Sequence, residues 1–369
     1  AGSSGCSSGA RIAVAASSVG TAETFAGPRA SRVEATFPWG LPWRLRSFAD
    51  ERAALHRHRY AAGSHDFGVR PLPDAGPTAR EVHVLVIGES SRPDRWRLYG
   101  AERPTTPGLS DRGDLIVFGN AVSAAAATRE SVPLMLTRRP PSAMLSGTGE
   151  PSMLTAFRQA GFRSHWLSTQ GTLGEHDTPL SVLAAEADSV QHLNASDYRG
   201  HGAWDGVLLA PLRQRLAAGE ARQLIVLHTL GSHLNYAHRY PPAFERFQPA
   251  LRPQQSSDIW TAQHQAELVN AYDNSLLYTD WLLSQVIAEL SRSGAQATLS
   301  YVADHGETLF DGRCKRAGHG FASLANYRVP WLVWLSPAWI AAHPERAARL
   351  RERRQTPVST LALFPTLAG

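Results

Sequence analysis

Val82-His83-Val84-Leu85-Val86-Ile87 runs into Gly88-Glu89-Ser90, and far downstream Ala297-Thr298-Leu299-Ser300-Tyr301-Val302 runs into Ala303-Asp304-His305-Gly306-Glu307. Near-continuous apolar runs of this kind read as parallel strands covered on both faces. Open α/β sheets bind ligands at the carboxyl ends of their strands. Glu89 and the Asp304-His305 pair are therefore expected at that edge, and carboxylate and imidazole are ligand types that a Zn²⁺ site uses. Between them in sequence lies Thr128, in the small-residue stretch Ser123-Ala124-Ala125-Ala126-Ala127-Thr128-Arg129-Glu130-Ser131. A hydroxyl beside a metal is a candidate nucleophile, and the combination points to phosphoryl transfer. Each residue alone has a plainer reading: Glu89 as a helix cap or surface acid, Thr128 as a turn residue, Asp304-His305 as a hydrogen-bonded turn.

Working outward, strands are expected at Leu115–Phe118, Arg163–Ser168, Gln223–His228 and Trp331–Leu335. Helices are expected from Glu130 to Leu136 after a Thr128 loop, from Met153 to Ala160 with Gly161 as a C-cap, and from Gly206 to Ala217. Gln263 to Ser291 reads as one or two helices, with Leu276, Leu277, Leu283 and Ile287 at helical spacing. A last short helix is expected from Pro357 to Leu367. This alternation predicts an α/β fold, a mostly parallel central sheet with helices on both faces. The residues before Glu81 read differently. The first 36 or so are rich in Ala, Gly and Ser, Leu45 to Tyr60 reads as a helix with Leu45, Phe48 and Leu55 on one face, and Gly68 to Pro77 is a Pro- and Gly-marked boundary. The expected division is a linker segment with a short helix over 1–80 and one domain over 81–369.

The 369 residues carry a formal net charge of +5, and the excess is arginine. Runs such as Arg351-Glu352-Arg353-Arg354 are solvated faces or, as the second reading, attract anionic lipid or a phosphate-bearing substrate. No basic-aromatic pattern of a nucleic-acid module is present. Only Cys6 and Cys314 occur, so a Cys-based zinc site is excluded and a disulfide framework is not expected. No run of about 18 apolar residues spans a membrane, and the N-terminus lacks a secretion signal. Either the protein is cytosolic or its membrane part lies upstream.

Order and wording of several blocks bring a resemblance. They are Val86-Ile87-Gly88-Glu89-Ser90-Ser91-Arg92-Pro93-Asp94, Leu98-Tyr99-Gly100-Ala101-Glu102-Arg103-Pro104-Thr105-Thr106-Pro107, Ala127-Thr128-Arg129-Glu130-Ser131-Val132-Pro133 and Leu227-His228-Thr229-Leu230-Gly231-Ser232-His233. Ala271-Tyr272-Asp273-Asn274-Ser275, Val302-Ala303-Asp304-His305-Gly306-Glu307 and Gly318-His319-Gly320 follow. From Glu81 to Leu367 the chain resembles the phosphoethanolamine transferases of the bacterial envelope, within the alkaline phosphatase and sulfatase superfamily.

The resemblance implies a metal set of Glu89, Thr128, Asp304 and His305, Thr128 as nucleophile, and His233 and His319 near the phosphoryl group or a second metal. It implies one tight Zn²⁺ and transfer of phosphoethanolamine from phosphatidylethanolamine, through Thr128, to a hydroxyl or phosphate of an envelope glycan. It also implies transmembrane helices upstream, a juxtamembrane role for 1–80, and a catalytic domain in the periplasm at the bacterial inner membrane. Trp166-Leu167-Ser168-Thr169-Gln170 ends at a predicted strand end. Gln170 there is a candidate for binding phosphate or ethanolamine, or a turn residue. Glu307 reads as an acceptor for a ligand histidine or a helix-start carboxylate. Arg92 and Asp94 read as a structural pair, and Tyr272-Asp273-Asn274 as organising the long helix.

Members that modify lipid A carry a Cys-Gly pair before the threonine and several disulfides, whereas this chain has Ala124-Ala125-Ala126-Ala127. A lipopolysaccharide core or periplasmic glucan is therefore the expected acceptor. Two readings compete. One is another enzyme of the superfamily, a phosphoglycerol transferase or a sulfatase-like hydrolase. A sulfatase, however, needs a Cys-x-Pro-x-Arg-like context that Thr128-Arg129-Glu130-Ser131 does not supply. The other is a non-catalytic glycan-binding module, which has no need of all four of Glu89, Thr128, Asp304 and His305.

Overall fold

The computed structural model describes residues 62–69, 80–142, 150–171, 178–194, 202–252, 262–311 and 315–368. The helix expected over Leu45–Tyr60, the Ala-, Gly- and Ser-rich start, Cys6 and Cys314 lie outside them. In chain order the strands are β1 (Glu81–Gly88), β2 (Leu115–Phe118), β3 (Ala121–Val122), β4 (Arg163–Ser168), β5 (Ser189–His192) and β6 (Arg222–His228). They continue with β7 (Gln296–Ala303), β8 (Thr308–Leu309), β9 (Ala317–Gly318), β10 (Trp331–Leu335) and β11 (Val358–Ser359).

A seven-stranded sheet has the order β2-β10-β7-β1-β6-β4-β5. All its neighbours are parallel except β10, which is antiparallel to β7 and to β2. β10 starts at the carboxyl end of the sheet, where Trp331 pairs with Val302, and runs back. The expected mostly parallel sheet is present. The side strands β3–β11 and β8–β9 form two small pairs beside it.

Alternation along each central strand feeds two cores. Val82, Val84 and Val86 of β1, Ile225 and Leu227 of β6, and Leu299 and Tyr301 of β7 face one core with Leu276, Leu283 and Ile287 of the helix Gln265–Arg292. Leu85, Ile87, Leu224, Val226 and Val302 face the other, with Val132 and Met135 of the helix Thr128–Leu136 and Leu154 and Phe157 of Met153–Gln159. Each such aliphatic side chain contributes roughly 1.5–3 kcal/mol on burial, so the centre of the sheet is its most stable part. Residues 62–69 pack on the second face, where Phe67 N donates to Gln159 Oε1 at 2.9 Å.

The expected region Gln263–Ser291 is a single helix. It ends where Gly294 takes φ +65, the left-handed conformation that closes helices. Its Tyr272 hydroxyl donates to Ser90 O at 2.8 Å and accepts from Arg92 N at 3.0 Å. Asp273 pairs with Arg95 and Arg103, and Asn274 Oδ1 accepts from Arg246 and Phe247 amides. The Tyr272-Asp273-Asn274 block thus ties the helix to the loops at the strand ends. Two expected helices are divided differently. Residues 205–208 form a 3-10 turn before the helix Leu209–Ala217, and β11 and a 3-10 turn precede the helix Leu363–Ala368.

Candidate functional site

β1 and β7 are parallel neighbours, with Gly88 paired to Ala303. That register puts the next residues, Glu89 and Asp304, side by side at the carboxyl edge. Both are buried, with His305 fully so. The turn after β7 is fixed by Gly306, where a Cβ would lie 2.0 Å from Ala325 O. Gly231 at φ +48 lets the loop after β6 pack directly on the Glu89 backbone, and Ser232 N donates to Glu89 O at 3.0 Å.

Thr128 reaches the site from the second face. A loop was expected here, but Thr128 is the first residue of the helix Thr128–Leu136. Ala127 offers no capping side chain, so no sequence signal marks the start. The Thr128 hydroxyl donates to Glu89 Oε2 at 2.9 Å and lies 3.1 Å from His305 Nε2. The same Nε2 is 3.2 Å from Glu89 Oε1 and 3.4 Å from Asp304 Oδ2. His305 Nδ1 donates to Gly306 O at 2.9 Å, which can only accept, so Nδ1 carries a hydrogen and Nε2 is the ring nitrogen that faces the carboxylates.

Asp304 Oδ1 accepts from Ser90 N at 3.1 Å and His305 N at 2.7 Å. Asp304 Oδ2 is buried with no hydrogen-bond partner. A buried carboxylate oxygen without a donor is costly unless a cation meets it. One ligand atom from each of Glu89, Asp304 and His305 falls within 4.8 Å of the others. The residues therefore fit a metal, with Thr128 Oγ as the further oxygen at the same point. The charges agree. Burial alone would raise Glu89, but His305, with His233 and His319 beyond, holds it well below the usual carboxylate range. Burial and the Glu89 charge push Asp304 up to about 7. Burial would lower His305, yet Asp304 and Glu89 raise it to about 10. The cluster demands positive charge, which a proton or a cation can supply.

Gln170 belongs to the site. Its Nε2 donates to Glu89 Oε2 at 3.1 Å and to Thr229 O at 2.9 Å, so it orients a candidate ligand and ties the turn after β6. The His319 ring lies tilted against that of His305, with centroids 4.3 Å apart, and the His233 ring centroid is 5.6 Å from that of His319. Glu307 starts no helix. Its Oε2 lies 3.0 Å from His319 Nδ1, and its Oε1 accepts from Tyr236 at 2.6 Å. His233 Nδ1 donates to Leu234 O at 2.6 Å, and burial pushes this imidazole down to about 4. Arg92 forks onto Asp94 and reaches Asp311, as a structural pair should.

Sequence reasoning missed Ser90 and Asp205. The Ser90 hydroxyl donates to Glu89 Oε1 at 2.6 Å, and its φ of 55 turns the backbone under the site. Asp205 is buried and accepts from Leu230 N at 2.9 Å and Gly231 N at 2.8 Å, clamping the turn that rests on Glu89. Adjacency to Glu89 was the only available signal for Ser90. Asp205 had none.

Phosphoethanolamine transferase EptC of Escherichia coli K12 is 27% identical over 361 residues, covering 92% of this chain and 59% of that protein. Phosphoethanolamine transferase CptA of Salmonella typhimurium LT2 is 30% identical over 357 residues, again 92% and 59%. The chain thus spans about 59% of the length of these curated relatives. The crystal structure of the C-terminal periplasmic domain of Escherichia coli EptC in complex with Zn superposes with a TM-score of 0.69 at 28% identity, covering 79% of this chain and 82% of that one. The sulfatase family model matches residues 82–369, more than half of the chain, and the chain therefore belongs to the sulfatase family.

Proposed function

We propose that residues 81–369 are the catalytic domain of a zinc-dependent phosphoethanolamine transferase of the bacterial envelope, with residues 1–80 linking it to an inner-membrane anchor. One observation carries the reading: a threonine hydroxyl at a helix start converges on Glu89 and His305, beside an Asp304 Oδ2 that makes no hydrogen bond and lies 3.4 Å from His305 Nε2. Binding alone would need no such hydroxyl, and the names of the relatives EptC and CptA support the transferred group.

Glu89, Asp304, His305 and Thr128 would hold the ion. A zinc ion bound there lowers the pKa of a nearby hydroxyl and offsets charge on phosphoryl oxygens. Thr128 Oγ attacks the phosphorus of phosphatidylethanolamine, and the bond from phosphorus to the diacylglycerol oxygen breaks. Glu89 and Gln170 keep the hydroxyl and its partner carboxylate oriented. The first turn of any helix leaves backbone N–H groups pointing outward, so the turn that begins at Thr128 favours the anionic phosphoryl group. His319, steadied by Glu307, is assigned to protonate the leaving oxygen. His233, neutral when its pKa is depressed, is assigned to accept hydrogen bonds from the phosphoethanolamine. An acceptor hydroxyl or phosphate then displaces the group from Thr128, and a lipopolysaccharide core or periplasmic glucan is favoured over lipid A. One tight site is expected, and a second ion near His233 and His319 is the alternative, since His305, Glu307 and His319 also bring ligand atoms together; zinc titration counts the sites.

The test is intact mass of the chain after incubation with phosphatidylethanolamine. A phosphoethanolamine adduct mapped to Thr128 supports donor and nucleophile together. An adduct formed only with phosphatidylglycerol would replace the reading by a phosphoglycerol transferase.

A further inference from the structure

Among the described residues, the exposed large hydrophobic side chains are Val207 at 41% and Leu324 at 51%. Leu324 opens the short helix Leu324–Tyr327 within the segment 319–328, which is braced on the candidate site. Gly320 N donates to Ala126 O at 2.8 Å, just before Thr128, and Ser123 N donates to Tyr327 O at 2.6 Å. Asn326 Nδ2 donates to Gly306 O and Gly318 O, each at 3.2 Å, and Gly306 N returns a bond to Asn326 O at 2.8 Å. This segment holds its leucine outward and is tied by Gly320 to the stretch that leads into Thr128. Phe321 is half-buried next to it and Ala322 is exposed.

Cations frame the same rim. Arg129, Arg316 and Arg328 are exposed, and the Arg316 guanidinium lies 5.7 Å from the Phe321 ring centroid. An apolar side chain held out of the core, flanked by unburied arginines, suits the boundary of a phospholipid bilayer, where acyl chains begin just beneath phosphates. A protein partner would equally cover Leu324 but gives no reason for a frame of arginines.

We propose that the segment 319–328 is the lip by which this domain docks on a phospholipid surface. Leu324 and Phe321 enter the interface, and Arg129, Arg316 and Arg328 meet lipid phosphates. The consequence that a headgroup phosphorus is thereby presented to Thr128 rests on the transferase reading; the docking itself does not.

The experiment is sedimentation of the full chain with vesicles of phosphatidylethanolamine and phosphatidylglycerol. Leu324→Asp should lower partition about tenfold, as the loss of one buried leucine implies. Arg328→Glu should weaken it at low salt and less at high salt. Val207→Asp, at the other exposed hydrophobic position, should leave it unchanged. Wild-type protein that stays in the supernatant, Leu324→Asp that sediments like wild type, or Val207→Asp that loses as much would each overturn the proposal. The same proteins are then incubated with water-soluble dihexanoyl phosphatidylethanolamine and read by intact mass. Equal labelling of wild type and Leu324→Asp, with vesicle binding lost only in the variant, is the expected result. Leucine-dependent vesicle binding with no labelling of any protein would sink the transferase reading while docking stands.

Discussion

Among the described residues at least three places in the sheet bring a histidine, a carboxylate and a hydroxyl together, at His83, His165 and His305, and the last two lie at opposite ends of the strands. At the amino end, His165 of β4 lies 2.7 Å from Ser189 Oγ through Nδ1 and 2.8 Å from Glu220 Oε2 through Nε2. Both ring nitrogens are engaged by neighbours that the sheet supplies. At the carboxyl end, His305 spends Nδ1 on a backbone carbonyl and aims Nε2 at two carboxylates and Thr128, while Asp304 Oδ2 has no donor. Residue types are the same, and the difference is completion. A finished hydrogen-bond set stabilises the fold, whereas an unfinished one asks for a ligand.

The sharpest way to break this contrast is Thr128→Ala. Transfer should fall by at least about 10³-fold, as removal of a nucleophile does, with an unchanged circular dichroism spectrum; near-wild-type turnover would remove Thr128 from its role. Next is Asp304→Asn. Outer partners of metal ligands already cost 10–100-fold in affinity, so this ligand change should lower zinc affinity by at least about 100-fold in a competition titration with a chelating dye. Wild-type affinity would return Asp304 to the structural class.

A third prediction uses pH. His305 titrates near 10 in the folded chain, above the ordinary value of about 6.5. In chelator-treated protein, the stability it contributes is fully present below about pH 6.5 and is lost as pH rises through about 10. Zinc supplies the same positive charge, so the loaded protein should lack this fall. Melting temperature against pH, with chelator and with zinc, reads the difference; parallel curves would break the account. The smallest effect is expected at the finished cluster. His165→Gln should cost about 1–3 kcal/mol in urea unfolding and leave transfer per folded molecule unchanged.

Much of the fold could be read from the strands. β1, β6, β7 and β10 are buried on both faces and each carries a central apolar run, while β2 is apolar throughout and β4 keeps only Trp166-Leu167. β5, Ser189-Val190-Gln191-His192, sits at the sheet edge with little burial and carries no such pattern. β3, β8, β9 and β11 are two residues each, shorter than any periodicity. The antiparallel direction of β10 depends on where the preceding loop lies, which Trp331–Leu335 does not encode. In the site, Glu89, Asp304 and His305 were legible because they end the two strongest strands. Asp205 was not, since it acts through backbone amides of a distant turn that any residue could donate.

The pairing of β1 with β7 has one further consequence. Glu89 and Asp304 both follow the last pair, Gly88 and Ala303, of one ladder at the stable centre of the sheet, while Thr128 arrives on a helix approached through alanines. Separating the two carboxylates requires opening the sheet, an event close in free energy to global unfolding. Withdrawing the hydroxyl requires only a shift at one helix end. Release of a bound ion to a chelator should therefore follow the slow exchange of β1 and β7 amides, and the reactive oxygen should come and go many times while the ion stays.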